Sequence, residues 1–382
     1  MAPQAEPHDD EHWMSRALEL ATRGMGFVEP NPPVGAIIIS QQGELIGQGF
    51  HEQFGGPHAE IQALNHAAGD VTGSTLYVTL EPCCHHGKTG PCTTAVISAG
   101  IARVVIGTRD PNPKVAGGGI AALQAAGLDV SVGLLEEQAK SLIAPFTKRV
   151  LSGLPWVHAK WAMTLDGKIA SHTGHSQWIS SKASREIVHQ LRGRMDAIVV
   201  GAKTAEVDDP LLTARPSGPR VATRIVVDPH ARLPLNSQLV KTAKSVSTIL
   251  AVSEQADSER TAALSVHDVE ILTIPSLPIK TTGQKQKLDL NFLLQELAAR
   301  GMTHILVEGG GELLGSFFDA DLVDEVHTFI SPKIIGGEKA VSAISGKGKA
   351  IIPEQSELKD LEIRQLGVDV YIHGRYARHG ET

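Results

Sequence analysis

Short apolar runs alternate with helical spacings along the first third of the chain. Met14, Ala17, Leu18 and Ala21 recur on one helix face, and Gly24 stands where a C-cap belongs. Val34–Ser40 and Leu45–Phe50 read as paired strands around a turn at Gln41–Gly43. His58–Ala68 reads as a helix, Thr75–Leu80 as a strand, and Thr93–Ala99 as a helix closed by Gly100. The pattern continues with a strand at Arg103–Thr108, a helix at Ile120–Ala126 and a strand at Leu128–Val132. Strands alternating with helices imply an α/β sandwich around a largely buried sheet.

A break follows. Ala144 to Pro155 carries Pro145, Lys148, Arg149, Gly153 and Pro155, and the domain boundary is placed there, giving units 1–150 and 151–382. A second α/β pattern predicts strands at Val157–Met163, Ala197–Gly201, Arg224–Asp228, Ser247–Val252 and His304–Val307. Ser253 to Lys287 is polar and interrupted by prolines, and reads as a surface excursion. The halves share no internal repeat.

The length of 382 residues fits two or three domains at ~100–200 residues each. Mean hydropathy is near zero, and no apolar run approaches the ~20 residues of a membrane helix. Through Ser152 there are 15 acidic against 9 basic residues, and 27 against 26 beyond it. Neither half has the basic footprint of a nucleic-acid binder. The acidic, His-containing start lacks the signature of a signal peptide, so the expectation is a cytoplasmic protein without nucleic-acid or membrane partners. Three cysteines cannot build a disulfide framework, but Cys83, Cys84 and Cys92 fall within ten residues of one another.

That cluster is the strongest chemical signal. His58-Ala59-Glu60 precedes a strand that ends in Glu81-Pro82-Cys83-Cys84-His85-His86-Gly87-Lys88-Thr89-Gly90-Pro91-Cys92. One imidazole and two thiolates suit Zn²⁺ and leave a fourth tetrahedral position for water. Such an ion lowers the pKa of bound water from about 15.7 towards ~7. Glu60 is too close in chain to His58 to be a comfortable fourth ligand, and is well placed as a proton shuttle, as in zinc deaminases. Residues two apart do not share a helix face, so His58 belongs at the helix entry. A structural zinc module would instead close the site with Cys84 or His85. Gly87-Lys88-Thr89 mimics the end of a phosphate-binding loop, but Pro82 stands where its first glycine is needed.

In the second half, Val307-Glu308-Gly309-Gly310-Gly311-Glu312-Leu313 places glycines between a strand and an apolar helix. Such a turn can bring backbone N–H groups to a phosphate, although the residues alone require only a tight strand-to-helix turn.

The nine-residue step from Cys83 to Cys92 resembles the bacterial bifunctional riboflavin-biosynthesis deaminase/reductase family, whose cysteines flank an expanded loop. The resemblance extends to Asn31-Pro32-Pro33-Val34-Gly35, Gly49-Phe50-His51, Asp110-Pro111-Asn112-Pro113 and Val115-Ala116-Gly117. In the second half it covers Lys160 to Lys168, Ser176 to Ile179, Thr204 to Thr213, Val307 to Gly311 and Ile330 to Lys333. It implies a cytidine-deaminase-like three-layer α/β/α domain followed by a dihydrofolate-reductase-like α/β domain.

The resemblance also implies Zn²⁺ on His58, Cys83 and Cys92, with Glu60 as proton shuttle. Asn31, His51, His85 and Lys88 would contact a pyrimidine ribosylamine phosphate. NADPH would meet Ala162, Trp178, Thr204, Asp208 and the glycine run Gly310–Ser316, which includes Gly311. Ser176, Arg192, Leu212, Arg215 and Glu308 would meet the second substrate, Arg192 and Arg215 suiting a phosphate. Lys160, Asp208 and Glu308 all remain candidates to supply or position the proton that accompanies hydride transfer. Trp178 suits a packed core equally well. The family usually has Ser at the position of Cys84 and Pro at that of Gly90; Cys84 is read as a spectator. The implied protein is a homo-oligomeric enzyme that deaminates the pyrimidine and then reduces its ribosyl chain. The rival is a nucleoside or tRNA deaminase with an unrelated C-terminal domain.

Overall fold

The computed structural model describes residues 9–84, 90–113, 115–278, 286–354 and 357–377. The chain divides into two compact units, Met1–Gly153 and Leu154–Thr382.

In the first unit, α1 (Asp10–Thr22) precedes the hairpin of β1 (Gly35–Ile39) and β2 (Leu45–Phe50). Then come α2 (Ala59–Asn65), β3 (Thr75–Leu80), α3 (Cys92–Ser98), β4 (Arg103–Thr108), α4 (Gly118–Ala125) and β5 (Asp129–Val132). Two helices close the unit, α5 (Glu136–Leu142) and α6 (Ala144–Ser152). The sheet order is β2-β1-β3-β4-β5; β1 pairs antiparallel with β2 and β3, and β3, β4 and β5 run parallel.

Burial on both faces explains the apolar runs. Ala36, Ile38, Leu76, Val78, Val104 and Ile106 pack with residues of α2, α3 and α4 on one side. Ile37, Ile39, Tyr77 and Val105 pack with Trp13, Met14, Ala17 and Leu20 of α1 on the other. The result is the expected three-layer sandwich. Asp9 caps α1 by accepting from the His12 N–H. The segment read as a boundary contains α6, and Gly153 ends that helix in a left-handed conformation.

The second unit opens with β6 (Trp156–Thr164), β7 (Lys168–Ala170), α7 (Lys182–Arg192), β8 (Ala197–Gly201) and α8 (Ala202–Asp208). It continues through β9 (Thr223–Val227), α9 (Gln238–Lys241), β10 (Thr248–Val252), α10 (Ser258–Ser265), β11 (Val269–Thr273) and α11 (Leu290–Ala299). Last come β12 (His304–Val307), α12 (Gly311–Asp319), β13 (Glu325–Ser331), β14 (Val341–Ser342), β15 (Leu358–Leu366) and β16 (Asp369–Tyr376).

Nine strands form one sheet in the order β11-β10-β9-β8-β12-β6-β13-β16-β15. It is parallel from β11 to β13 and antiparallel at β13/β16 and β16/β15. Alternate strand residues feed two cores, one around α11 and α12 and one around Leu239, Val240 and Leu264. Ser253–Lys287 is not simply an excursion. It contains α10 and β11, and β11 extends the sheet beside β10. Val269 is buried and Ile271 and Leu272 pack on the two cores, so a short apolar strand lies inside the polar segment.

Candidate functional sites

The first site is built where β3 ends and two short helices begin. His58 is the N-cap of α2, with extended backbone, so its imidazole turns back from the helix as the His-x-Glu spacing requires. Glu60 lies in the first turn and is 3% exposed. Cys83 follows β3, and Cys92 is the first residue of α3 with Pro91 as N-cap. His58 Nδ1 is 3.2 Å from Cys92 Sγ and 3.6 Å from Cys83 Sγ. The Cys92 backbone N–H donates to Cys83 Sγ at 3.4 Å.

Bonds from Cys92, and then from His58, draw the Cys83 thiol down to about 4. Burial pushes the Glu60 carboxyl up. One nitrogen and two sulfurs converge at separations that a tetrahedral zinc ion spans, so His58, Cys83 and Cys92 fit the metal. Cys84 stays outside this set, with its Sγ packed on Gly118, where an added Cβ would come within 2.9 Å.

His51 is 3% exposed and sits beside His58, ring centroids 5.3 Å apart. Its Nδ1 donates to the Pro57 carbonyl at 3.0 Å, leaving Nε2 to accept from Asn31 Nδ2 at 3.1 Å. Burial holds its pKa below the ordinary value. Asn31 and His51 are thus brought to the metal-ligand cluster, whereas His85 and Lys88 lie outside the described residues.

Glu81 has no role in the sequence motif, but the structure gives it one. Its buried carboxylate accepts from four backbone N–H groups, those of Asp110, Gly117, Gly119 and Ile120, at 2.9–3.2 Å. It ties the end of β3, just before Cys83, to the start of α4. The only cue available in sequence was an acid at the end of an apolar strand.

The second site is a cavity of about 1530 Å³ in the C-terminal unit. Lys160, Ala162, Ser176, Trp178, Arg192, Thr204, Asp208, Leu212, Arg215, Glu308, Gly310 and Gly311 all line it. Residues as far apart in sequence as Lys160 and Gly311 therefore meet in one place. Trp178 is not core: it is 64% exposed, lies outside the strands, and packs on the Arg185 guanidinium 4.5 Å from the ring.

Arg192 lines the same cavity, and its Nε and Nη2 donate to both Glu308 oxygens at 2.6 and 2.7 Å, so this edge of its guanidinium is taken by a carboxylate. Lys160 Nζ lies 3.8 Å from the same carboxylate. The Arg192 charge beside it outweighs burial and holds Glu308 ionised, while burial lowers the Lys160 pKa. Asp208 accepts from the Ser176 hydroxyl at 2.8 Å.

The glycine run has two separate reasons for its composition. Gly309 and Gly310 have φ of 129° and 64°, and Gly310 faces the Thr204 hydroxyl. At Gly315 an added Cβ would meet the Ser345 carbonyl at 1.7 Å, so that glycine serves close packing and not a ligand.

The family description "RibD C-terminal domain" matches residues 155–372. The description "Cytidine and deoxycytidylate deaminase zinc-binding region" matches residues 7–108. The chain is 39% identical to a riboflavin biosynthesis protein RibD from Actinobacillus pleuropneumoniae, over 95% of this chain and 94% of that one. It is also 39% identical to RibD from Escherichia coli K12, covering 95% and 98% respectively. A solved structure from Thermotoga maritima aligns with a TM-score of 0.80 and 37% identity, over 96% of this chain and 98% of that one. That structure is described as a diaminohydroxyphosphoribosylaminopyrimidine deaminase/5-amino-6-(5-phosphoribosylamino)uracil reductase.

Proposed function

The chain belongs to the RibD family of riboflavin biosynthesis proteins, and we propose that residues 1–150 carry the deaminase reaction and residues 151–382 the reductase reaction. It is a bifunctional enzyme with both activities, using zinc in the first half and NADPH in the second. The relatives match along 95% of the chain, which removes the rival of a deaminase with an unrelated tail.

In the first reaction the amino group of the diaminopyrimidinone ribosylamine phosphate is replaced by oxygen and leaves as ammonia. His58, Cys83 and Cys92 would hold the zinc, which when bound would acidify the water used for the attack. Glu60 carries the proton from that water to the departing nitrogen, its buried carboxyl raised towards the range where it can both take and give one. Asn31 and His51 hold the pyrimidine, with the His51 tautomer fixed by the Pro57 carbonyl. His85 and Lys88 are assigned to the substrate by family resemblance alone.

In the second reaction bound NADPH would supply the hydride for the ribose C1′, and the residues of the cavity would deliver a proton to the departing ring oxygen. A single ligand fills about 300–1,000 Å³, so a cavity of about 1530 Å³ has room for the cofactor beside the sugar phosphate. Ala162, Trp178, Thr204, Asp208, Gly310 and Gly311 are assigned to the cofactor, and Ser176, Arg192, Leu212, Arg215 and Glu308 to the substrate. With Arg192 engaged by Glu308, Arg215 is the phosphate contact of the pair. Lys160 is the proton donor: burial weakens its hold on its proton, whereas Glu308 is kept ionised by Arg192.

The enzyme acts on a small molecule and not on nucleic acid, in keeping with its acidic N-terminal half. No described helix is long and apolar enough to cross a membrane, and the reading places the enzyme in the cytoplasm. Exposed Leu361, Ile363, Val368 and Val370 on the β15–β16 edge support a homo-oligomer.

One observation carries the reading, namely the convergence of His58, Cys83 and Cys92 beside a buried Glu60. The test is Glu60→Ala. It should keep stoichiometric zinc and lose ammonia release, while NADPH oxidation on the deaminated substrate persists. Loss of zinc in that variant would show Glu60 to be a ligand and overturn the assignment.

A further inference from the structure

Beside the reductase cavity but not lining it, β6 and β13 bring three metal-ligating side chains to one sheet face, with His327 opposite Lys160 across the strands. His158 on β6 stands opposite Glu325 on β13, and His327 follows two residues along. His158 Nδ1 and His327 Nε2 are 3.2 Å apart, and Glu325 Oε1 lies 3.5 Å from the first and 3.2 Å from the second. Four-coordinate zinc at Zn–N distances of about 2.0–2.1 Å holds neighbouring ligand atoms about 3.3 Å apart. All three edges of this triangle are close to that value. The ligand set of the deaminase half shows the same spread, 3.2 and 3.6 Å from the imidazole nitrogen to the two sulfurs.

The surroundings match as well. Metal-ligating imidazoles almost always engage their other nitrogen in a hydrogen bond, and ligating carboxylates are themselves braced. Here His158 Nε2 is 3.1 Å from His304 Nδ1, and His327 Nδ1 is 2.8 Å from the Tyr371 hydroxyl. Glu325 Oε2 accepts from the Trp156 indole N–H at 2.8 Å. One tautomer set satisfies these contacts: His158 donates outward through Nε2 and His327 through Nδ1, and each turns a lone pair inward. His373 Nε2 lies only 2.6 Å from Glu325 Oε1, too close for two ligands of one ion, so it donates to that oxygen. His158 and His327 are buried, while the Glu325 and His373 side chains are 17% and 28% exposed, which leaves an approach from solvent.

We propose that His158, Glu325 and His327 form a second metal site, in the reductase half, for a borderline divalent cation of the Zn²⁺ type. Two imidazoles and one carboxylate suit such an ion. It joins β6 to β13, while Tyr371 and His373 extend the support to β16. Its place is structural, since none of its ligands lines the reductase cavity.

The experiment uses untagged full-length protein, stripped by chelation and dialysed against Zn²⁺, with metal counted by mass spectrometry. Wild type should hold two equivalents, and Cys83→Ser/Cys92→Ser should hold one. Adding His327→Gln or Glu325→Gln to that double variant should remove the remaining ion, whereas adding His373→Gln should not. Co²⁺ in the Cys83→Ser/Cys92→Ser chain should give visible bands of a nitrogen/oxygen site without sulfur charge transfer. The isosteric Glu325→Gln covers the case in which His327→Gln does not fold. The proposal is overturned if wild type saturates at one equivalent, or if the ion in the cysteine double variant survives both added substitutions. The first result would identify the group as a hydrogen-bonded cluster that holds no ion.

Discussion

Glu81 offers a measurable link between backbone hydrogen bonding and the metal site. Replacing it by alanine removes the acceptor for four N–H groups at once. Asp110 and Gly117 are half-buried, so water can replace the carboxylate there; Gly119 and Ile120 are buried, and it cannot. An unsatisfied buried donor costs about 1–3 kcal/mol, so Glu81→Ala should destabilise the deaminase unit by about 2–6 kcal/mol. Glu81→Gln keeps the shape but turns an NH₂ towards one pair of donors, and should cost about 2 kcal/mol. The same loss should loosen Cys83, two residues along the chain. The assay is urea unfolding of each variant, with zinc release followed by a chromophoric chelator. Both variants should release zinc at lower urea than wild type, alanine before glutamine, with NADPH oxidation on deaminated substrate retained before unfolding. If Glu81→Ala shifts stability by less than about 0.5 kcal/mol and leaves zinc release unchanged, the four bonds do not organise the site.

Two further outcomes are expected. Burial lowers the Lys160 pKa below the ordinary 10.5. A donor must be protonated, so reductase activity should persist below that pKa and fall as pH rises through it. The alkaline limb of kcat/KM should therefore lie below pH 10.5, disappear in Lys160→Met with most of the activity, and move upward in Lys160→Arg. An unmoved limb in Lys160→Arg would remove Lys160 from the proton path. Cys84→Ser should leave zinc content and both activities nearly unchanged; loss of zinc would make Cys84 a ligand.

Elements buried on two sides were readable from the chain. Thr75–Leu80, Arg103–Thr108, Ala197–Gly201 and His304–Val307 are short, mostly apolar runs, and their boundaries agree with the structure. The β15–β16 edge was missed because most of its first strand is exposed and charged, as in Lys359, Asp360, Glu362 and Arg364. Its partner β16 mixes buried Asp369 and Tyr371 with polar residues and shows no clean alternation. The candidate zinc site was legible because His58, Glu60, Cys83 and Cys92 are close in chain and differ in chemistry. Glu81 was not, because its partners are backbone groups that carry no side-chain signature. The Arg192–Glu308 pair spans 116 residues, and only the fold shows that one edge of the arginine's guanidinium is already engaged. The histidines of β6, β12, β13 and β16 are likewise spread from His158 to His373 and meet only because those strands are neighbours.

The two-step account is tested most directly by giving the full-length enzyme the diaminopyrimidinone ribosylamine phosphate, with and without NADPH, and identifying the products by mass. Without NADPH, ammonia should be released and the deaminated ribosyl uracil should accumulate; NADPH should then convert it to the ribityl compound. Oxidation of NADPH on the undeaminated substrate before any ammonia appears, or no ammonia at all, would contradict the account.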